Sequence, residues 1–369
     1  MIIMNLNLIG GLAFLAVFAG IILTHELGHF IVARLVGIEV EEFGIGFPPR
    51  ILTLFTWKGT KFSLNWIPLG GFNRMKGEDD PNSTDGFSFA KPWARIITLL
   101  AGSGMNLITA ILAFSILYTQ VGIPDPTSAQ ILEVSSNSPA QQAGLMVDDI
   151  VLSAGSQKVT STDQLRNIIL ANLDQPLPLT IQRGNEVLDI VVTPDSNRPA
   201  SDGATGIMLG NRLEPANSWF ATLPISLRAT YETGRELLSL PGRMIAGVIK
   251  PSEAELLGPR SIWNLFQQSV RRDVESRQPI TGSQPQLPTN YTLTGIISLT
   301  LSLGLINLLP IPALDGGRIL FILPELIFRK RIPPKYESMI HGVSFLVLLT
   351  LLGYFYILDF IHPVNIILP

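Results

Sequence analysis

The chain has 369 residues, of which 47% are hydrophobic and 15% are charged, and its formal net charge is −3. Soluble domains contain about 25% charged residues, so this composition indicates a membrane protein and excludes a disordered chain, a collagen and a coiled coil. The lack of a basic surplus argues against nucleic acid as a partner. The lack of cysteine excludes disulfides and thiolate metal ligands.

Four apolar segments are long enough to cross a bilayer, which requires about 17 to 25 residues. They are predicted at about 6–32, 96–119, 293–309 and 343–361. The first segment lacks a basic start and a small-residue cleavage site, so we interpret it as a retained helix and not as a secretory signal. These segments predict a polytopic α-helical membrane protein with four transmembrane helices.

Lysine and arginine are concentrated in the loop between the first two spans and in the loop between the last two. None precedes Arg34, and none follows the fourth span. Because positively charged short loops stay in the cytoplasm, both loops are expected there, and both termini and the long central region on the other side. The predicted location is the inner or plasma membrane of the cell, which the chain crosses several times.

The first span contains the pattern H-E-x-x-H, formed by His25, Glu26 and His29. On a helix the two histidines lie one turn apart on one face, so both imidazoles can reach the same Zn²⁺ ion. Glu26 lies beside them and can accept a proton from water. Ionisable groups inside a span are costly and usually functional. A buried His-Glu-His cluster that only packs helices is the alternative.

Two apolar, β-prone runs follow the first span at 51–57 and 61–67, joined by Lys58-Gly59-Thr60. They predict a membrane-associated β-hairpin within about 43–72. An exposed strand edge near a metal can pair with an extended substrate segment by strand addition. The alternative is a hairpin that only fills the space between the spans.

Short runs that alternate apolar and polar residues occupy the region 126–212, at 129–134, 150–154, 177–183 and 187–193. A helical stretch at 161–170 interrupts them, with Ser161 or Thr162 as its N-cap. This pattern predicts a small α+β domain inserted between two membrane halves, 1–125 and 291–369. The intervening region 213–290 is predicted to contain an amphipathic segment at the membrane interface, followed by a polar linker from about Gln267 to Asn290.

The third span is followed by the run Asn307–Gly317, which contains two prolines and ends in Asp-Gly-Gly. Such a run breaks the helix, which is tolerated at membrane depth where protein or a water-filled cavity surrounds it. A hydrolytic zinc site typically has three protein ligands, and Asp315 can supply the third. His341 and His362 are poorer candidates, because they are predicted at opposite membrane faces.

These two motifs, H-E-x-x-H at 25–29 and N-x-x-P-x-P-x-L-D-G-G at 307–317, resemble the signatures of the site-2 protease family of intramembrane zinc metalloproteases. Within that family the chain is most similar to the bacterial regulator-of-sigma-E protease group. The resemblance implies Zn²⁺ held by His25, His29 and Asp315. It also implies that Glu26 is the catalytic acid and base and that Asn307 contacts the substrate.

Two further runs resemble parts of that family. Residues 101–106, A-G-S-G-M-N, resemble a motif of the second span, with Ser103 where proline is usual. Asn106 in this run either packs helices or contacts the substrate. Residues 138–151 resemble the PDZ domain of bacterial proteases, with Asp148 where glycine is usual. A single PDZ-like domain is therefore expected at 126–212, and such domains bind an extended peptide by strand addition.

The sequence thus predicts a zinc-dependent intramembrane endopeptidase that cleaves single-span membrane proteins in regulated intramembrane proteolysis. The resemblance implies a membrane anti-sigma factor or signal-peptide remnants as substrates. The expected partners are a transmembrane substrate, a peptide or protein ligand at the PDZ-like domain and the lipid bilayer. Two alternatives are a proteolytically silent membrane PDZ scaffold and a zinc transporter, although the sequence shows no repeated helix unit of the kind that transporters contain.

Overall fold

The computed structural model of the chain describes residues 2–78, 85–199, 202–247, 258–276 and 290–361. The chain divides into two compact units. One consists of residues 1–117 and 219–369, and the other of residues 118–218.

The described residues form helices and two antiparallel sheets. The helices are α1 (Ile2–Leu35), α2 (Pro92–Val121), α3 (Pro139–Ala143), α4 (Thr162–Ala171), α5 (Trp219–Ile245), α6 (Pro259–Ser276), α7 (Tyr291–Asn307), α8 (Asp315–Phe328) and α9 (Pro334–Ile361). The strands are β1 (Val40–Trp57), β2 (Thr60–Met75), β3 (Ile123–Val134), β4 (Ile150–Ala154), β5 (Gln157–Lys158), β6 (Leu177–Arg183), β7 (Glu186–Val192) and β8 (Ile207–Glu214).

Several helices are apolar enough for a membrane. In the described part of the chain, Gly10–Leu35, Pro92–Val121 and Lys335–Ile361 have the length and composition of a span. The helix α7 is apolar but has only 17 residues and ends at Asn307, before the expected end of the third span at residue 309. Its length of about 26 Å comes close to the ~30 Å hydrocarbon core. The crossing by α7, the third of the four predicted spans, therefore stays a prediction.

β1 and β2 form the predicted hairpin, which extends beyond 43–72 to 40–75. The hairpin curls, because residues 42–45 lie beside both 71–74 and 61–64. Glu42 is buried in the curl, where its carboxylate accepts hydrogen bonds from Arg50 at 2.9 and 2.5 Å and from Ser63 at 2.7 Å. Burial alone would raise the pKa of Glu42, but these hydrogen bonds outweigh it and hold the pKa below its ordinary value.

The helix α6 corrects the prediction of a polar linker at 267–290, because it continues to Ser276. It packs against α1, α7 and α9. Phe14 of α1 makes edge contacts with Trp263 and Phe266, at centroid distances of 5.4 and 5.6 Å. The polar composition concealed this helix, because charged side chains cover its exposed side while two aromatic rings anchor the other. Residues 277–289 lie outside the described residues.

The amphipathic segment expected within 213–290 forms α5, which packs against α7. Its buried side is partly polar, since Thr222, Ser226 and Thr230 are all buried. The hydroxyl groups of Thr222 and Ser115 of α2 are 2.6 Å apart and share a hydrogen bond. The position of α5 at a membrane surface stays a prediction.

The second unit contains an antiparallel sheet of order β7-β6-β4-β3-β8, with β5 paired to β4. Its core includes Ile131, Leu165 and Ile181, all fully buried. Of the two predicted N-caps of α4, Ser161 is the one observed, and its hydroxyl accepts a hydrogen bond from the N–H of Gln164. Asp148 adopts a φ of +72°, a conformation that aspartate tolerates better than most residues. The same φ is a reason for the glycine that is usual at this position of the PDZ-like motif that residues 138–151 resemble. The identity of this unit as a PDZ domain stays a prediction.

Candidate metal centre

Three side-chain atoms from α1 and α8 meet at one point. The Nε2 atoms of His25 and His29 are 3.1 Å apart, and Oδ2 of Asp315 lies 3.2 and 3.3 Å from them. A tetrahedral zinc ion with bonds of about 2.0–2.1 Å spaces its ligand atoms by about 3.3 Å. Oδ2 of Asp315 is buried and has no hydrogen-bond donor among the described residues. The three atoms therefore fit Zn²⁺, which would satisfy all of them.

Each imidazole is oriented through its second nitrogen. Nδ1 of His29 lies 2.8 Å from the carbonyl oxygen of Thr98 on α2, so its N–H donates to that oxygen. Nδ1 of His25 lies 3.4 Å from Nδ2 of Asn106, an amide whose nitrogen and oxygen can be exchanged by a flip of the side chain. With the amide oxygen turned toward the ring, Nδ1–H of His25 donates to Asn106. Both rings then present an unprotonated Nε2 to the same point, as metal ligands require.

Asn106 is fully buried behind His25. This placement argues against the direct contact with substrate that the sequence suggested as one option. A buried amide next to a ligand ring instead fixes the tautomer and the orientation of that ring. The structure therefore places Asn106 where it can orient His25, and a contact with substrate stays a prediction.

Two glycines allow α1 and α2 to approach closely at the histidines. A Cβ at Gly102 would lie 2.3 Å from Nε2 of His29 and 2.8 Å from Cε1 of His25. A Cβ at Gly28 would lie 2.3 Å from the carbonyl oxygen of Ala101. The sequence motifs alone do not predict these glycines or Thr98 as part of the site. The small residues of the run 101–104 were the available signal.

Asp315 is the first residue of α8, which folds back onto the loop that follows α7. A Cβ at Gly316 would lie 2.3 Å from the carbonyl oxygen of Leu308, and one at Gly317 would lie 2.2 Å from that of Ile311. Only glycine permits this approach of backbone to backbone. The Asp-Gly-Gly sequence is therefore required for the position of the carboxylate and is more than a surface turn.

Ion pairs hold α8 against its neighbours. Buried Arg95 of α2 donates to Glu325 of α8 at 2.8 Å. Arg318, one turn after Asp315, pairs with Glu78 just beyond β2. These pairs fix the helix that contains the third ligand candidate against both α2 and the end of the hairpin.

A cavity of about 470 Å³ opens beside the three ligand atoms. Glu26 of α1 and Asn307 of α7 line it, together with Phe47, Phe72 and Asn73 of the hairpin. Nδ2 of Asn307 is 3.3 Å from Nε2 of His25. The structure thus brings the predicted acid and base and the predicted substrate contact into one space with the ligand atoms.

The remaining histidines are placed differently. His341 lies in α9, more than a turn after its start at Pro334, and its Nδ1 accepts a hydrogen bond from the backbone N–H of Ala313. His362 lies outside the described residues. Among the described residues, the group able to hold a metal consists of His25, His29 and Asp315.

The chain is similar over nearly its whole length to a peptidase family profile and to proteins named as zinc metalloproteases. The family profile described as Peptidase family M50 matches residues 13–351, a range that includes both His25 and Asp315. A protein of Clostridium perfringens with zinc metalloprotease in its name is 33% identical over 355 residues, covering 95% of this chain and 98% of that protein. The zinc metalloprotease RasP of Oceanobacillus iheyensis is 27% identical over 430 residues, covering 92% and 96%.

Proposed function

The chain belongs to peptidase family M50, a family of zinc-dependent membrane proteases, and we propose that it cleaves single-span membrane proteins within the bilayer. The observation that supports this most strongly is the meeting of His25, His29 and Asp315 beside a cavity lined by Glu26. The two histidines and Glu26 lie on a helix with the length and composition of a membrane span.

The site residues have distinct tasks in peptide hydrolysis. Zn²⁺ held by His25, His29 and Asp315 would polarise the scissile carbonyl and make water more acidic. Glu26 accepts a proton from the attacking water on its carboxylate and passes it to the leaving amine nitrogen. A carbon–oxygen bond forms at the carbonyl carbon and the carbon–nitrogen bond of the peptide breaks. Asn307 donates its amide N–H to a backbone carbonyl of the substrate and holds the segment in place.

The substrate must be extended before it is cut, because a helical span hides its peptide bonds in internal hydrogen bonds. Phe47, Phe72 and Asn73 of the hairpin line the cavity, so the hairpin is suitably located to receive an unwound segment. Strand addition to such an edge satisfies the backbone groups that unwinding exposes. This supports a substrate role for the hairpin over simple filling of space.

The second unit is proposed as a PDZ-like domain at 126–212 that admits or excludes substrates. A groove of about 730 Å³ between α4 and β8 supports peptide binding, and its lining includes Arg166, Ile169 and Met208. β8 lies at one end of the sheet, where a peptide strand can be added. With this domain and both termini outside the cytoplasm, a trimmed anti-sigma factor or a signal-peptide remnant is the expected substrate in regulated intramembrane proteolysis.

The test compares the native chain with Glu26→Gln, both purified in detergent, for zinc content and for cleavage of a single-span reporter. Stoichiometric zinc in both, with cleavage only by the native chain, is the expected result. Cleavage by Glu26→Gln would refute its role as acid and base. Zinc without cleavage in either protein would support the silent scaffold, and the absence of zinc from the native chain would refute the metal centre.

A further inference from the structure

His341 connects α9 to the segment on both sides of Asp315. Its Nδ1 accepts a hydrogen bond of 2.8 Å from the backbone N–H of Ala313, two residues before Asp315. Its ring also packs on Phe321 of α8, with a centroid distance of 5.1 Å. A single imidazole thus contacts the loop that leads into Asp315 and the helix that follows it.

The bonded N–H belongs to a strained backbone. Ala313 has a φ of +84°, a region that residues with a Cβ rarely adopt. Such conformations persist only where the surrounding structure holds them, and they cluster at functional sites. Within the loop, the N–H of Leu314 bonds to the carbonyl oxygen of Ile311 at 3.1 Å. The bond to His341 holds the same turn from outside the loop.

The position of Asp315 leaves little freedom for this turn. Its Oδ2 lies 3.2 and 3.3 Å from the two histidine nitrogens, and zinc–ligand distances vary by only about 0.2 Å. A change in the peptide plane at Ala313 alters the direction in which α8 begins, and with it the position of the carboxylate. An interaction that fixes this peptide therefore affects the metal centre without contacting the metal.

We propose that His341 is a positioning residue of the metal centre, which holds the Ala313 peptide so that Asp315 reaches the two histidines. The inference rests on the proposed role of Asp315 as a zinc ligand. It requires a hydrogen-bond acceptor at the Nδ1 position and assigns no proton transfer to His341.

Three variants separate the hydrogen bond from packing. His341→Asn keeps an acceptor, because its Oδ1 and the Nδ1 of histidine are both bonded to Cγ. His341→Leu keeps most of the volume without an acceptor. Phe321→Leu removes the ring that packs on His341 and leaves the acceptor in place. Zinc affinity is measured on the full-length protein by competition with a chelator, and kcat and KM with a single-span reporter.

We expect His341→Leu to bind zinc about 10- to 100-fold more weakly, as is typical when a partner that orients a ligand is removed. Its kcat should fall, and KM should change little because the cavity lining is intact. His341→Asn and Phe321→Leu should both bind zinc with nearly native affinity.

Native zinc affinity in His341→Leu would overturn the inference. Equal losses in all three variants would also overturn it, since packing alone would then account for the effect. An Asp315→Ala control distinguishes a failure of the zinc-ligand assignment from a failure of the role proposed for His341. If that variant retains native zinc affinity, the ligand assignment itself fails, whereas a zinc-deficient Asp315→Ala beside an unaffected His341→Leu refutes only the role of His341.

Discussion

Replacing Gly102 with alanine tests whether the contact between α1 and α2 sets the spacing of the two histidines. The new Cβ would lie 2.3 Å from Nε2 of His29, 2.6 Å from Cε1 of His29 and 2.8 Å from Cε1 of His25. Ordinary contacts between such atoms are about 3.5–4.0 Å. Both rings must therefore move by roughly 1 Å, or the two helices must separate by a similar distance.

A displacement of this size is larger than a zinc site accepts, since ligand distances vary by only about 0.2 Å. His29, the ring nearest the new Cβ, should no longer reach the ion. Disturbing the partner of a ligand costs about 10- to 100-fold in metal affinity, and losing the ligand costs more. We expect zinc affinity to fall at least about 100-fold, or ~2.7 kcal/mol, with loss of cleavage.

Gly104→Ala is the matched control, because it lies on the same helix and a Cβ there meets no atom within 4 Å among the described residues. It should bind zinc and cleave as the native chain does. Metal content, chelator competition and circular dichroism of the purified proteins measure affinity and helix content together. A folded Gly102→Ala protein with native zinc affinity would show that the contact between α1 and α2 at Gly102 does not set the spacing of the two histidines.

Three further predictions concern stability and the metal. Because the pKa of Glu42 is lowered in the folded state, its carboxylate stabilises the fold above the pKa of the unfolded state, and this contribution is lost as the pH falls through the folded-state pKa. Glu42→Gln should therefore lower the melting temperature at neutral pH and lower it less in acid. A melting-temperature difference between the two proteins that does not change with pH would contradict this. Asp359 accepts hydrogen bonds from the N–H groups of Arg260 and Ser261 and so caps the start of α6. Asp359→Ala should therefore lower the free energy of unfolding by about 1 kcal/mol, and an unchanged denaturant midpoint would contradict this capping role. Chelation should lower the melting temperature and abolish cleavage, with both restored by zinc, and cleavage that survives chelation would exclude a metal-dependent reaction.

Local patterns in the sequence predicted much of the fold. The length of the apolar segments indicated the helices α1, α2 and α9. Two apolar, β-prone runs predicted the hairpin, and alternation of apolar and polar residues predicted most of the strands in the region 126–212. These signals succeed because they depend on neighbouring residues. The pattern at 267–276 does not predict a helix, because the aromatic residues that anchor α6, Trp263 and Phe266, lie before this segment and pack on Phe14, far away in the chain.

The candidate site, like the fold, was predictable from the sequence only in part. Helical spacing alone brought His25 and His29 to one face, but Asp315 entered as a third ligand through its motif and its resemblance to a known family. Thr98 and Gly102 support the histidines from another helix. The small residues of the run 101–104 hint at a close helix contact, but the sequence does not show that α1 is the helix they meet. His341 was considered only as a ligand, since its contact with Ala313 depends on how α9 packs.

By itself, the sequence determined an apolar chain with a metal-binding pattern on its first helix and a broken helix near its third apolar segment. Periodicity and backbone chemistry suffice for these features, because each depends on residues within about two helical turns. Only the tertiary structure decided that Asp315 lies within 3.3 Å of both histidine nitrogens. That distance depends on how separate helices pack through glycines, ion pairs and buried amides, and the partners in these contacts lie far apart in the sequence.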